Sequence, residues 1–69
     1  MLVRELVGEI DPSLAIELYA AGGSDRYDHL GLFRLDMPAS KDKLLHLHGD
    51  RTVKRQDRYK AYVLLYLEA

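Results

Sequence analysis

The chain has 69 residues, 48% of them apolar and 30% charged, with no cysteine and a formal net charge of -1. Such a length limits it to one small domain of roughly 3 to 5 kcal/mol stability, and such a composition excludes a disordered tail. Disulfides and thiolate metal sites are excluded, and the longest apolar run, Ala61 to Leu67, is far shorter than the ~20 residues of a membrane span.

Leu2, Val3, Leu6, Val7 and Ile10 fall at helical spacing, with Arg4, Glu5 and Glu9 outside their arc, which predicts a short amphipathic helix. These charges are also unlike a secretory leader, so a cytoplasmic location is expected. Asp11 can cap a first turn and Pro12 suits the first helical position. A second helix is therefore expected over Pro12 to Ala21, with Leu14, Ala15, Leu18 and Tyr19 on one face and Gly22-Gly23 as its stop.

The middle of the chain reads two ways. Ser24 or Asp25 can cap a helix reaching about Arg34, whereas Phe33, Leu35 and Met37 alternate with Arg34 and Asp36 as in a strand, and Gly31 weakens a helix. The helix is the preferred reading. Pro38 breaks what precedes it, and Ser40 can cap a short helix through Leu44, Leu45 and Leu47 to Gly49. The competing reading is a hairpin with a Gly49-Asp50 turn and Arg51 to Arg55 as the returning strand.

The final segment is the most lopsided. Asp50 or Thr52 can cap a helix to Glu68, roughly 25 Å long, with Tyr59, Tyr62, Val63, Tyr66 and Leu67 as one stripe and Leu64 and Leu65 left over. As a strand it would instead place Ala61, Val63, Leu65 and Leu67 on one face and Tyr62, Leu64 and Tyr66 on the other, like a central strand. Either geometry demands cover on two sides. The expected architecture is all-α, a bundle of four or five short helices with the C-terminal one longest. The alternative is α+β, with N-terminal helices and a small antiparallel meander from Leu30 onward.

Charge is divided unevenly. Residues 1–36 are net acidic and residues 37–69 net basic, so the halves can neutralise one another or offer the basic part to a polyanion. On a C-terminal helix Arg51, Lys54 and Arg58 follow i, i+3, i+7 spacing with Arg55 at the margin, a stripe that could track phosphates. A helix-turn-helix over Leu14 to Leu30 is weakened by Asp25 and Asp28, which offset Arg26 on its second helix.

His46 and His48, with His29 as a third ligand, form the only metal candidate, and on a helix the first two diverge by about 200°. No metal or cofactor is expected. Ser13, Ser24 and Ser40 lie where hydroxyls cap helices, Gly22-Gly23 lacks the lysine of a phosphate loop, and so small a domain rarely encloses a substrate cavity. No enzyme is expected. Tyrosines combine apolar area with a polar tip suited to interfaces. The expected function is therefore an interaction module, self-associating or docking onto a larger protein through Tyr62, Leu64, Leu65 and Tyr66. The alternative is a small dimeric regulator gripping nucleic acid with Arg51, Lys54, Arg55 and Arg58.

Overall fold

Alternation, not helical spacing, governs most of the regular structure of this chain. The computed structural model describes residues 1–22 and 26–68 and runs α1 (Val3–Val7), β1 (Ala15–Ala21), β2 (Tyr27–Arg34), α2 (Pro38–His48), β3 (Val53–Arg58) and β4 (Tyr62–Leu67). The four strands form one mixed sheet in the order β2-β1-β4-β3, with β1 parallel to β4 and both outer pairs antiparallel. The fold is α+β, so the expected all-α bundle is overturned.

Three helices of that bundle are replaced by strands. At Asp11 to Leu14, the Leu14 N–H donates to the Asp11 carbonyl (3.0 Å), and the Ser13 N–H and Oγ both donate to Asp11 Oδ1 (2.9 Å each). Asp and Pro thus open a tight turn instead of a helix, a role both residues share. Those hydrogen bonds, the backbone one first, hold the Asp11 carboxyl below its ordinary pKa. Beyond the turn, Ile16, Leu18 and Ala20 are buried alternately along β1, and their neighbours point to the opposite face. β1 and β2 pair antiparallel, so the helix-turn-helix over Leu14 to Leu30 does not form. The cap candidates Ser24 and Asp25, and Gly23, lie outside the described residues.

The long C-terminal helix is likewise a β3–β4 hairpin, closed by Tyr59 N–H donating to the Tyr62 carbonyl at 2.9 Å. The side chains of β4 alternate about a central strand, Val63, Leu65 and Leu67 inward. The long-range parallel pairing of Ala15 to Ala20 with Tyr62 to Leu67 joins β4 to β1 on one side while β3 pairs on the other, and it buries Val63, Leu65 and Leu67 fully.

The two helical expectations that hold are α1 and α2. Glu5 Oε1 accepts from the Leu2 N–H at 2.8 Å, half of a capping box. Pro38 begins α2, Met37 occupies the N-cap without a side-chain bond, and Gly49 is the C-cap. Ser40 is no cap; its Oγ accepts from the Arg34 N–H at 2.8 Å, fixing the end of β2 to the first turn of α2. The Gly49-Asp50 hairpin does not form.

Both helices lie on one face of the sheet. Val3, Leu6, Val7 and Ile10 from the N-terminal segment and Leu44 from α2 join Ile16, Leu18, Phe33, Val63, Leu65 and Leu67 in one core. Backbone bonds from Val3 N–H to the Arg51 carbonyl (2.9 Å) and from Arg4 N–H to the Gly49 carbonyl (3.0 Å) secure α1 beside the end of α2. No element among the described residues covers the other face.

Candidate functional site: the open face of the sheet

Register determines what that open face carries. Side chains on adjacent strands stand in lateral rows. The first full row reads His29, Tyr19, Tyr66, Arg55; the next reads Leu32, Glu17, Leu64, Asp57; the third begins Arg34, Ala15, Tyr62. Tyr59 stacks on Tyr62 with ring centroids 4.8 Å apart, and Tyr27 meets Tyr66 edge-on at 4.9 Å. All five tyrosines of the chain therefore gather on or against this face. None is in the core.

Tyr66 is the hub. Its ring stacks on Tyr19 at 5.5 Å with 21° between planes, Tyr19 meets His29 at 5.0 Å, and the Arg55 guanidinium carbon lies 4.8 Å from the Tyr66 centroid. Such aromatic pairs are worth about 0.5 to 1.5 kcal/mol beyond area burial. Removal from water, followed by the Asp57 charge, raises the Tyr66 pKa above its ordinary 10.0, so the hydroxyl stays neutral at any physiological pH.

The charges on this face are matched locally. Arg55 Nη2 donates to Asp57 Oδ2 at 2.7 Å, Arg34 Nη2 to Asp36 Oδ2 at 2.9 Å, and His29 Nε2 lies 3.5 Å from Glu17 Oε1. Hydrogen bonds to their partners raise the pKa of both arginines and lower that of Asp36. With each guanidinium engaged by a carboxylate, the face presents no surplus of positive charge. It is an amphipathic surface.

The four expected contact residues are divided by the pleat. Tyr62, Leu64 and Tyr66 share the open face, whereas Leu65 lies opposite, 0% exposed among the core side chains. The helical basic stripe does not form. Arg55 points to the open face, Arg58 pairs with Val63 toward the other side and hydrogen-bonds Gln56 at 2.9 Å, and Arg51 precedes the strand. His46 and His48 sit on α2 and His29 on β2. No group of three or more metal-ligating side chains occurs among the described residues.

Sequence reasoning missed Tyr19, Tyr27, His29, Leu32 and Arg34 as members of this surface. The usable signal was period-two spacing, Glu17 with Tyr19, Tyr27 with His29, and Tyr62 with Leu64 and Tyr66. Comparison with protein families, curated proteins and solved structures found no match to this chain. Among the described residues no helix is long and apolar enough to cross a membrane.

Proposed function

We propose that the protein is a non-enzymatic interaction module that self-associates by packing the open face of its sheet against that of a second copy. The observation that carries this reading is the collection of all five tyrosines on one uncovered sheet face, around Leu32 and Leu64. Leu32 is 59% and Tyr62 40% exposed, so apolar area remains to be buried. Four strands ~4.8 Å apart and six residues long at ~3.4 Å each give a face of about 20 by 20 Å. A standard interface buries about 800 Å² of accessible surface per partner, about twice this flat footprint, so the whole side-chain relief of the face and its rim have to be used. A second sheet at ~10 Å is the occupant of matching breadth and flatness.

The charge pattern supports a second copy over a nucleic acid. Stacked tyrosines on an open sheet could hold unpaired bases, yet phosphate binding needs unneutralised cations, and Arg34 and Arg55 are each bonded to an aspartate. Balanced charges let identical faces meet without repulsion.

The test is solution mass by light scattering, at low and high salt, with and without a single-stranded oligonucleotide. The expected result is a dimer insensitive to salt and oligonucleotide, converted to monomer by Leu64→Lys without change in circular dichroism. That variant is compatible with the sheet because Leu64 lies between Glu17 and Asp57. A monomer at every concentration overturns the reading. A salt-sensitive shift with oligonucleotide replaces it by nucleic-acid binding.

A further inference from the structure

A second surface lies at the opposite edge of the molecule from β3. Strand β2 is an outer strand, so one row of its backbone N–H and C=O groups lacks a strand partner among the described residues. Alongside it runs α2, and between them is an open cleft of about 490 Å³ walled by Leu30, Leu32, Phe33 and Leu47, with Lys43 and His48 as its charged or titratable members. Among the described residues no carboxylate lines it.

Three features select an occupant. An unpaired strand edge binds extended chain by adding a strand, with main-chain hydrogen bonds for affinity and alternate side chains for specificity. Leu47, 53% exposed on α2, and Leu30, packed against the core on the helix side of the sheet, offer contacts to every second side chain of such a segment. Lys43, without an opposing carboxylate in the cleft, favours negative charge on the incoming chain. At 1.5 Å per residue α2 is about 16 Å long, which flanks about five residues of strand.

We propose that the cleft between α2 and the free edge of β2 docks an extended peptide segment of another protein, added as a strand to β2, with alternate apolar side chains in the cleft and an acidic residue facing Lys43. This site uses α2 and the edge of β2, whereas self-association uses the open face; Leu32 borders both, and none of the test variants changes it. The two can succeed or fail separately.

The probe is a phage-displayed library of random nine-residue peptides, selected on the immobilised full chain. Expected is enrichment of sequences with apolar residues at every second position and Asp or Glu between them. A synthetic peptide from that set should shift the amide resonances of Leu30 to Phe33 and of α2. Binding should fall at least tenfold in Lys43→Glu and in Leu47→Asp, both exposed changes that leave the fold intact by circular dichroism. The proposal is overturned by no enrichment, by basic consensus sequences, by binding unchanged in both variants, or by shifts confined to Tyr19, Leu64 and Tyr66.

Discussion

Tyr19 and Tyr66 stack across the only parallel strand pair in the sheet, directly opposite in register, with centroids 5.5 Å apart. Residues far apart in sequence thereby fasten β1 to β4, and the same rings form the middle of the open face. A double-mutant cycle with Tyr19→Leu and Tyr66→Leu should return a coupling of about 0.5 to 1.5 kcal/mol in denaturant unfolding. Tyr66→Phe should keep that coupling, because the hydroxyl takes no part in the stack. Additive single changes would mean that the rings meet without stabilising the fold.

Neighbouring leucines should respond oppositely to one substitution. Leu65 is wholly buried beneath the helices, whereas Leu64 lies between Glu17 and Asp57 on the open face. Leu65→Lys buries an unpaired charge and should cost more than about 3 kcal/mol, comparable with the whole stability of so small a domain. Leu64→Lys should cost no more than about 1 kcal/mol while abolishing self-association. Thermal melts followed by circular dichroism separate the outcomes, and two folded variants would mean that the β4 pleat is the reverse of that described.

How far the sequence discloses this arrangement depends on the range of the forces involved. Helices α1 and α2 are visible because local signals suffice: Leu2, Val3 and Leu6 at helical spacing, and Pro38 and Gly49 as punctuation. Strand β1 is hidden because Leu14, Ala15, Leu18 and Tyr19 fit a helical face as well as Ile16, Leu18 and Ala20 fit a strand, and Asp11-Pro12 can open either element. The decision comes from Tyr62 to Leu67, whose apolar pleat needs β1 on one side. β3 is more obscure still, since Lys54, Arg55, Gln56 and Arg58 are good helix formers held extended by pairing with β4. Tyr62, Leu64 and Tyr66 were legible as a surface from their alternation, but the Tyr19 and Tyr27 contributions required the register.

Acid should weaken the fold through His48. Burial, and secondarily the positive charge of Arg51, lower its pKa below the ordinary 6.5. The unfolded chain therefore binds a proton first as pH falls. The stability that neutral His48 contributes is complete above pH 6.5, declines as pH falls through the window down to the folded-state value, and levels off below it. Urea midpoints measured from pH 7.5 to 5 should show this decline, and His48→Gln should flatten it. An unchanged slope in that variant would assign the acid sensitivity to other groups.

Gly31 and Gly8 should give opposite results on replacement by alanine. Gly31, opposite Leu18 beside the register shift of the β1–β2 hairpin, has φ +146°, and a Cβ there would approach Phe33 Cε2 to 3.3 Å. Both effects oppose a side chain: the backbone region is nearly restricted to glycine, at about 1 to 3 kcal/mol for other residues, and the Phe33 ring is buried in the core and has little room to yield. Gly8, which ends α1 at φ -67° in ordinary right-handed geometry, has only Glu5 O within reach of an added Cβ, at 3.5 Å. Gly8→Ala should stabilise by about 0.4 to 1 kcal/mol, because it restricts the unfolded chain without straining the folded one. Gly31→Ala should lower the melting temperature by roughly 4 to 8 °C per kcal/mol lost, and adding Phe33→Leu should recover none of the backbone strain. If Gly31→Ala melts with the parent chain, the hairpin holds that position in a conformation open to any residue.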